Sequence, residues 1–180
     1  MIQAAFFGDS GSLHRVYAQG RRELLTSRAA FYPHFVSRPN FDAHAPHLSE
    51  IEAIFSTWGM PSLSDAQIAQ MPKLRAVFYA AGSVQGFARP FLERGITVVS
   101  AWAANGVPVA EWTIAQILLA GKGFFRNERE FRAARSRNEV FVGRGNFGTL
   151  VSLLGAGVIG RLVIELLRPF QLQICVFDPF

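Results

Sequence analysis

A glycine-rich segment, GAGVIG at residues 155–160, has the composition and spacing of a phosphate-binding turn. Gly155 lets the backbone turn sharply out of a preceding strand, and Gly157 lets a pyrophosphate approach the main chain closely. Gly160 lets the following helix pack closely against that strand. The helix N-terminus, beginning at Val158 and Ile159, would then face the phosphates with free N–H groups and the positive end of its dipole.

An acidic residue, Asp178, follows Gly160 by 18 residues, close to the spacing of about 20 expected for the acid that binds an adenosine ribose. Its carboxylate would accept hydrogen bonds from both ribose hydroxyls and repel a 2′-phosphate, which favours NAD over NADP. An apolar run at residues 151–154 predicts a buried parallel strand and residues 173–177 a second strand, with a helix between them that Pro169 ends. A purely structural turn is the alternative, but strand, helix and acid together favour a nucleotide site.

Upstream of this unit, apolar runs alternate with helical patterns, which predicts an α/β fold with a parallel sheet. We expect strands at residues 2–7, 32–36, 52–56, 75–79 and 97–100. We expect helices near residues 13–27, 64–70 and 87–94. Strands in this number, joined by such crossovers, suffice for a flavodoxin-like domain, whose ligands bind at the carboxyl ends of the strands.

A long helix is expected to start near Pro108, because proline is well tolerated in the first turn of a helix. Residues 109–120 are apolar around much of the helix circumference, with Glu111 the only charged residue. This pattern predicts a helix buried between domains.

The net charge of +5 comes almost entirely from arginine, and a cluster of arginines is mixed with glutamates between residues 126 and 144. The arginines of the cluster are Arg126, Arg129, Arg132, Arg135, Arg137 and Arg144. Their spacing of about three places several on one side of a helix. A nucleic-acid patch is one interpretation. The interspersed acids, which include Glu139, favour a solvated or subunit-facing surface instead.

The composition indicates a globular chain without a membrane segment or signal peptide, since 50% of the 180 residues are hydrophobic but no apolar stretch reaches 18 residues. A lone cysteine, Cys175, excludes an internal disulfide and fits a reducing, cytoplasmic compartment; we expect it to be a buried, inert thiol. His44 and His47 lack neighbouring ligand-type residues, so we interpret them as surface histidines and predict no metal site.

Several ordered motifs resemble the D-isomer-specific 2-hydroxyacid dehydrogenases, a family that includes phosphoglycerate, glycerate, D-lactate and formate dehydrogenases. The similar segments are PKLRAV at 72–77, AAGSV at 80–84, GITV at 95–98, NGVPVAE at 105–111 and the cofactor fingerprint at 153–178. The resemblance implies a flavodoxin-like substrate domain at residues 1–104, a hinge helix and arm at 105–147, and the first β-α-β of a Rossmann NAD-binding domain at 148–180.

The resemblance also implies site residues. Backbone N–H groups of Ala81, Gly82 and Ser83 would bind the substrate carboxylate, since small residues let the main chain reach an anion; a tight turn is the alternative. Asn105 would make a polar substrate contact or, equally, serve as a cap or loop residue. The cofactor-binding residues would be Val109, Gly155, Gly157, Val158, Ile159, Gly160, Asp178 and Pro179. One departure is Ser100, which stands where relatives often carry asparagine.

The family carries its chemistry on an arginine, an acid and a histidine, which we expect beyond residue 180. None of the four histidines, His14, His34, His44 and His47, matches the catalytic position, so no catalytic residue is assigned here. The chain is accordingly interpreted as the amino-terminal portion of an NAD-dependent D-2-hydroxyacid dehydrogenase, dimeric in its full form and inactive as 180 residues. The alternatives are a non-catalytic NAD-binding regulatory or corepressor-like module and an arginine-rich nucleic-acid binder.

Overall fold

The computed structural model describes residues 1–134 and 141–180, which form two compact units, Met1–Trp102 and Ala103–Phe180. The strands of the first unit are β1 (Ile2–Phe7), β2 (Ala29–Phe31), β3 (Ala53–Ser56), β4 (Ala76–Tyr79) and β5 (Thr97–Ser100). Its helices are α1 (Ser10–Val16), α2 (Arg21–Thr26), α3 (Phe41–His44), α4 (Asp65–Ile68) and α5 (Arg89–Glu93). The strands pair in parallel in the order β2-β1-β3-β4-β5. This is the flavodoxin-like order, so the predicted fold class is confirmed.

The register of the first sheet aligns the carboxyl ends of four strands. Phe7 pairs with Ser56, Ser56 with Tyr79, and Tyr79 with Ser100. Because side chains alternate between the two faces of a sheet, these four residues share one face. That face carries the main core, which includes the fully buried Ile54, Val77 and Phe91. The loops that follow these strands therefore emerge side by side at one edge of a rigid sheet.

The second strand differs from the prediction. We expected it at residues 32–36, but β2 is Ala29–Phe31, and the later segment keeps only an isolated bridge between Phe7 and Val36. Pro33 explains the interruption because it has no N–H to donate to the sheet.

The predicted helix at residues 13–27 is two short helices, α1 and α2. Gln19 and Gly20 separate them, with φ angles of 58° and 79° in the left-handed region that a right-handed helix cannot continue through. The short segment from residue 38 to residue 47 contains α3 between two 3-10 turns, Arg38–Asn40 and Ala45–His47.

The second unit contains a two-stranded parallel sheet and the predicted β-α-β. Its elements are α6 (Trp102–Gly121), α7 (Phe124–Ala134), β6 (Leu150–Leu154), α8 (Val158–Leu167) and β7 (Gln173–Phe177). Strands β6 and β7 pair in register from Leu150 opposite Gln173 to Leu154 opposite Phe177. A small core forms where Ala110 of α6 meets Val163 and Leu167 of α8.

The expectation for the long helix is wrong in two respects. Helix α6 begins at Trp102, so Pro108 lies inside the helix rather than in its first turn. Alanines at positions 103 and 104 favour the earlier start, while the missing N–H of Pro108 removes one internal hydrogen bond. The helix is also not buried around its circumference, since Trp112 is 64% exposed. The side with Gly106 and Ala110 packs against α8.

The second sheet is also less buried than its apolar sequence predicts. Leu154 is 86% exposed and Phe177 64% exposed, so the expectation of a buried strand at residues 151–154 is wrong. Cys175 is exposed as well, which corrects its interpretation as a buried thiol. The physical reason is that α8 covers one side of β6 and β7, and the alternating side chains on the other side face solvent.

The arginine cluster lies partly on α7. Arg126 pairs with Glu130 at 2.7 Å, and Arg132 pairs with Glu128 one turn earlier. These i,i+4 pairs fit the interpretation of a solvated helix surface. Arg135, Arg137 and Glu139 lie outside the described residues. Within the described part of the chain, no helix combines the length and apolarity needed to span a membrane.

Candidate functional site

The glycine-rich turn connects β6 to α8. Gly155 has a φ angle of +98°, which a side chain would disfavour, and it donates to the Phe177 carbonyl at 2.8 Å. Gly157 precedes the helix in an extended conformation and makes no side-chain cap. The N–H groups at the start of α8, at Val158 and Ile159, are thus free to meet an anion.

The two glycines on either side of the helix start, Gly157 and Gly160, have different surroundings. A Cβ built on Gly160 would lie 2.2 Å from the Gly155 carbonyl oxygen, so only glycine permits the close packing of helix on turn. A Cβ on Gly157 would meet no atom within 4 Å. The space in front of Gly157 is therefore available to a ligand. Close packing at Gly160 is as expected from the sequence, whereas approach of a pyrophosphate at Gly157 stays a prediction.

Asp178 closes the turn from the end of β7. One carboxylate oxygen accepts a hydrogen bond from the Ala156 N–H, and the other accepts from the Phe180 N–H at 2.8 Å. The bond from Ala156, then that from Phe180, and more weakly the charge of Arg161 hold the pKa of Asp178 below its ordinary value. The carboxylate is therefore ionised at neutral pH and lies beside the turn.

Arg161 also fixes Ala156, through its carbonyl rather than its N–H. Its Nε donates to the Ala156 carbonyl at 2.8 Å. Ala156 thus has both of its backbone polar groups bonded, the N–H to Asp178 and the carbonyl to Arg161. Arg161 was not predicted as a site residue; its position early in the helix, four residues after Gly157, was the available signal.

Helix α6 packs beside the glycine-rich turn. A Cβ built on Gly106 would lie 3.4 Å from a side-chain carbon of Ile159 and 3.9 Å from one of Val158. Asn105 and Val109 lie on α6 within one turn of Gly106, and Asn105 is inside the helix rather than at a cap or in a loop. Pro179 follows Asp178 and is exposed. The structure therefore places Gly106 of α6 against Val158 and Ile159 at the start of α8, and the role of these residues toward a cofactor stays a prediction.

The predicted carboxylate-binding loop follows β4 in the first unit. Two hydroxyl side chains from the neighbouring strand ends hold its carbonyls. Thr57, just after β3, donates to the Ala80 carbonyl at 3.3 Å. Ser100, at the end of β5, lies 3.0 Å from the Ala81 carbonyl oxygen and closer still to that of Gly82. Ser100 was noted in the sequence only as a departure from relatives, and Thr57 was missed; a hydroxyl at a strand's carboxyl end was the available signal.

The loop leaves three consecutive backbone donors unpaired. Within residues 1–134 and 141–180, the N–H groups of Ala81, Gly82 and Ser83 have no protein acceptor. The Ser83 side chain instead accepts from the Gln85 N–H at 3.4 Å. Ala81 is buried, whereas Gly82 is half-buried and Ser83 exposed. Unpaired main-chain donors at a sheet edge are suited to hold an anion.

An apolar hollow of about 280 Å³ lies at the sheet in the same unit. The residues that line it include Phe55, Phe78, Val99 and Tyr17. The Tyr17 hydroxyl donates to the Ser56 carbonyl at 2.9 Å, and burial raises the pKa of this phenol. The hollow suits an uncharged apolar group.

Three of the four histidines gather around Tyr32. Its hydroxyl lies 2.9 Å from Nδ1 of His44, and the His34 ring stacks on His44 with centroids 5.4 Å apart. His47 stacks on Tyr32 at 6.4 Å. His44 is half-buried, so its interpretation as a purely surface histidine is corrected; His47 is exposed. This cluster is held by stacking and one hydrogen bond.

The first sheet and the glycine-rich turn together define the class of fold found in 2-hydroxyacid dehydrogenases. No family model matches the chain. A solved D-lactate dehydrogenase from Aquifex aeolicus, complexed with NAD and lactic acid, has a TM-score of 0.70 at 19% identity. That alignment covers 98% of this chain and 51% of the enzyme. It shows the fold.

Two curated relatives carry the more specific names. A 2-hydroxyacid dehydrogenase homolog of Haemophilus influenzae is 33% identical over 88 residues, covering 49% of this chain and 27% of that protein. A D-3-phosphoglycerate dehydrogenase of Mycobacterium bovis is 29% identical over 118 residues, covering 64% of this chain and 22% of that protein. The resemblance indicated by the motifs is thereby confirmed. The chain spans about a quarter of the length of these curated relatives and about half that of the solved structure.

Proposed function

We propose that this chain supplies the substrate domain and the opening β-α-β of an NAD-dependent dehydrogenase that interconverts a D-2-hydroxy acid and its 2-oxo acid. The observation that carries the proposal is the ionised Asp178 bonded to the Ala156 N–H beside the open space at Gly157. The names of the curated relatives support the reaction class.

The second unit supplies groups suited to NAD. The free N–H groups of Val158 and Ile159 at the start of α8 would bind the pyrophosphate, with Gly157 leaving room for it. Asp178 would accept hydrogen bonds from the ribose hydroxyls and disfavour a 2′-phosphate. Val109 and Pro179 would line the cofactor site. When bound, the nicotinamide would supply or accept the hydride.

The first unit supplies groups suited to the substrate. The unpaired N–H groups of the loop at Ala81, Gly82 and Ser83 would bind the carboxylate of a small 2-hydroxy or 2-oxo acid. Asn105 would add a polar contact. We assign no catalytic residue within residues 1–180, so the 180-residue polypeptide is expected to bind ligands without turnover. We further propose a cytoplasmic homodimer for the full-length form.

Nucleotide binding and turnover, measured separately on the 180-residue chain, test this proposal. We expect saturation-transfer NMR to detect NAD more strongly than NADP. We also expect no loss of NADH absorbance when pyruvate or hydroxypyruvate is added. Preference for NADP would contradict the role of Asp178, and steady turnover would contradict the expected inactivity.

The regulatory alternative is tested on the longest natural form of the protein. If that form bound NAD but reduced no 2-oxo acid, a non-catalytic NAD-binding or corepressor-like module would replace the dehydrogenase. Reduction of any 2-oxo acid with NADH would support the dehydrogenase.

A further inference from the structure

Ser100 lies where one hydroxyl faces two consecutive carbonyls of the loop after β4. Its Oγ is 3.0 Å from the Ala81 carbonyl oxygen and closer still to that of Gly82. A serine hydroxyl has one proton, so it donates to one of these carbonyls at a time. Both carbonyls nevertheless point toward the same side of the loop.

This arrangement fixes the direction of two N–H groups. In a planar trans peptide, the N–H points opposite to the carbonyl of the same unit. The Ala81 carbonyl shares its peptide with the Gly82 N–H, and the Gly82 carbonyl shares its peptide with the Ser83 N–H. With both carbonyls directed at Ser100, the N–H groups of Gly82 and Ser83 point together toward the side away from Ser100.

Successive peptides oriented in one direction are costly without a partner, because their dipoles repel. The Ser100 hydroxyl offsets this cost at the carbonyl end. An anion would offset it at the N–H end, where the described residues provide no acceptor. Thr57 holds the preceding peptide, which contains the Ala81 N–H, because its hydroxyl donates to the Ala80 carbonyl.

We propose that Ser100 is a positioning residue that turns the Gly82 and Ser83 N–H groups toward the carboxylate of a small 2-oxo or 2-hydroxy acid. The ligand class rests on the proposed function, whereas the orientation of the two peptides rests on the structure of the first unit alone. Serine suits this task because it is compact and fixed on the last residue of β5, in register with Tyr79.

A matched serine is available as a control. Ser62 donates to the Gly86 carbonyl at 3.1 Å, at the far end of the same loop and away from the two N–H groups. Ser62→Ala therefore removes the same kind of bond, a hydroxyl to a loop carbonyl, without touching the peptides in question. Ser100→Thr keeps the hydroxyl and is the conservative variant.

The test is an NMR titration of the 180-residue chain with pyruvate, with pyruvamide as the uncharged counterpart. If self-association of the chain broadens the spectra, the same series is recorded with the added surface substitution Leu150→Lys, at an exposed position. Pyruvate, but not pyruvamide, is expected to shift the Gly82 and Ser83 amides. Ser100→Ala should weaken pyruvate binding about fivefold, the effect of one lost hydrogen bond. Ser62→Ala and Ser100→Thr should leave it unchanged.

Carbonyl carbon chemical shifts recorded without ligand test the orientation of the two peptides separately from the binding of a carboxylate. Ser100→Ala should move the Ala81 and Gly82 carbonyl carbon signals, and Ser62→Ala should not. Unmoved carbonyls, or unchanged pyruvate affinity in Ser100→Ala, would overturn the positioning role while leaving the proposed function intact. If the carbonyl carbon signals move in Ser100→Ala but pyruvate shifts no amide in the parent chain, the orientation of the two peptides stands. The carboxylate site is then overturned, and so is the role of Ser100 toward a ligand.

Discussion

The two parallel sheets of the chain differ sharply in how well they bury their apolar side chains. In the first sheet, Ile54 and Val77 are fully buried. In the second, Leu154 is 86% exposed and Phe177 64% exposed. Parallel sheets are normally covered on both faces, so the first sheet is held by its core and the second leaves an apolar face open to solvent. Equally apolar sequences can thus occupy very different environments.

The two candidate sites differ in the same way. The loop after β4 is fixed by the neutral hydroxyl groups of Thr57 and Ser100, which lie at the ends of packed neighbouring strands. The turn after β6 is fixed at Ala156 by two charged side chains, Asp178 and Arg161, on an exposed surface. We therefore expect the second site to respond to pH and salt and the first to respond mainly to the loss of packing.

The largest contrast is expected from an acid placed in each sheet. Val77→Asp buries an unpaired charge in the main core and should destabilise the first unit by more than about 3 kcal/mol. Cys175→Asp, at an exposed position on the open side of the second sheet, should change stability by less than about 1 kcal/mol. Urea unfolding followed by hydrogen exchange at the β4 and β7 amides measures both. Equal losses would indicate that another surface covers β6 and β7 in solution.

The next contrast lies within the glycine-rich turn. Gly160→Ala brings a Cβ to 2.2 Å from the Gly155 carbonyl oxygen, so helix α8 must move away from the turn. We expect a loss of about 1–3 kcal/mol in the stability of the second unit, as for other overpacked sites. Thermal unfolding followed by circular dichroism and by the β6 amide signals measures this loss.

Gly157→Ala is the matched control, because a Cβ there meets no atom within 4 Å and the φ angle of −64° is ordinary. This variant should fold as well as the parent but bind NAD more weakly, since the methyl group occupies space that the pyrophosphate needs. Unchanged NAD affinity in Gly157→Ala would remove the proposed phosphate position.

Sequence reasoning succeeded where local pattern and topology agree. The runs at β1 and β5 match their strands, and the predicted fold class follows from the strand order. It failed where a single residue overrides the pattern: Pro33 displaced β2, and Gly20 divided a helix. It also failed for burial in β6, because apolar composition does not specify which neighbours cover a strand.

The candidate site was predictable only in part. The glycines and Asp178 have a fixed spacing along the chain, so their proximity could be inferred. Thr57 and Ser100 come from strands that neighbour β4 in space but are distant from it in sequence. Their contacts depend on the register of the sheet, and no spacing rule indicates it.

The smallest expected effect concerns Asp178. Asp178→Asn keeps the size of the side chain but removes its charge. The variant should therefore bind NAD about tenfold more weakly and show a smaller ratio of NAD affinity to NADP affinity than the parent. Affinities for both nucleotides, measured by saturation-transfer NMR at several salt concentrations, test the change. A variant with unchanged discrimination would show that Asp178 serves only to hold Ala156.

The pH dependence of NAD binding by the parent chain separates Asp178 from other titratable groups. Its pKa is depressed in the folded state, chiefly by the Ala156 N–H, so the carboxylate's contribution is fully present above the ordinary carboxyl pKa of about 4. That contribution is lost as pH falls through the lower folded value. NAD affinity should therefore stay level from neutral pH to about pH 5. A decline near pH 6 to 7 would point to a group other than Asp178, and Asp178→Asn would retain that decline.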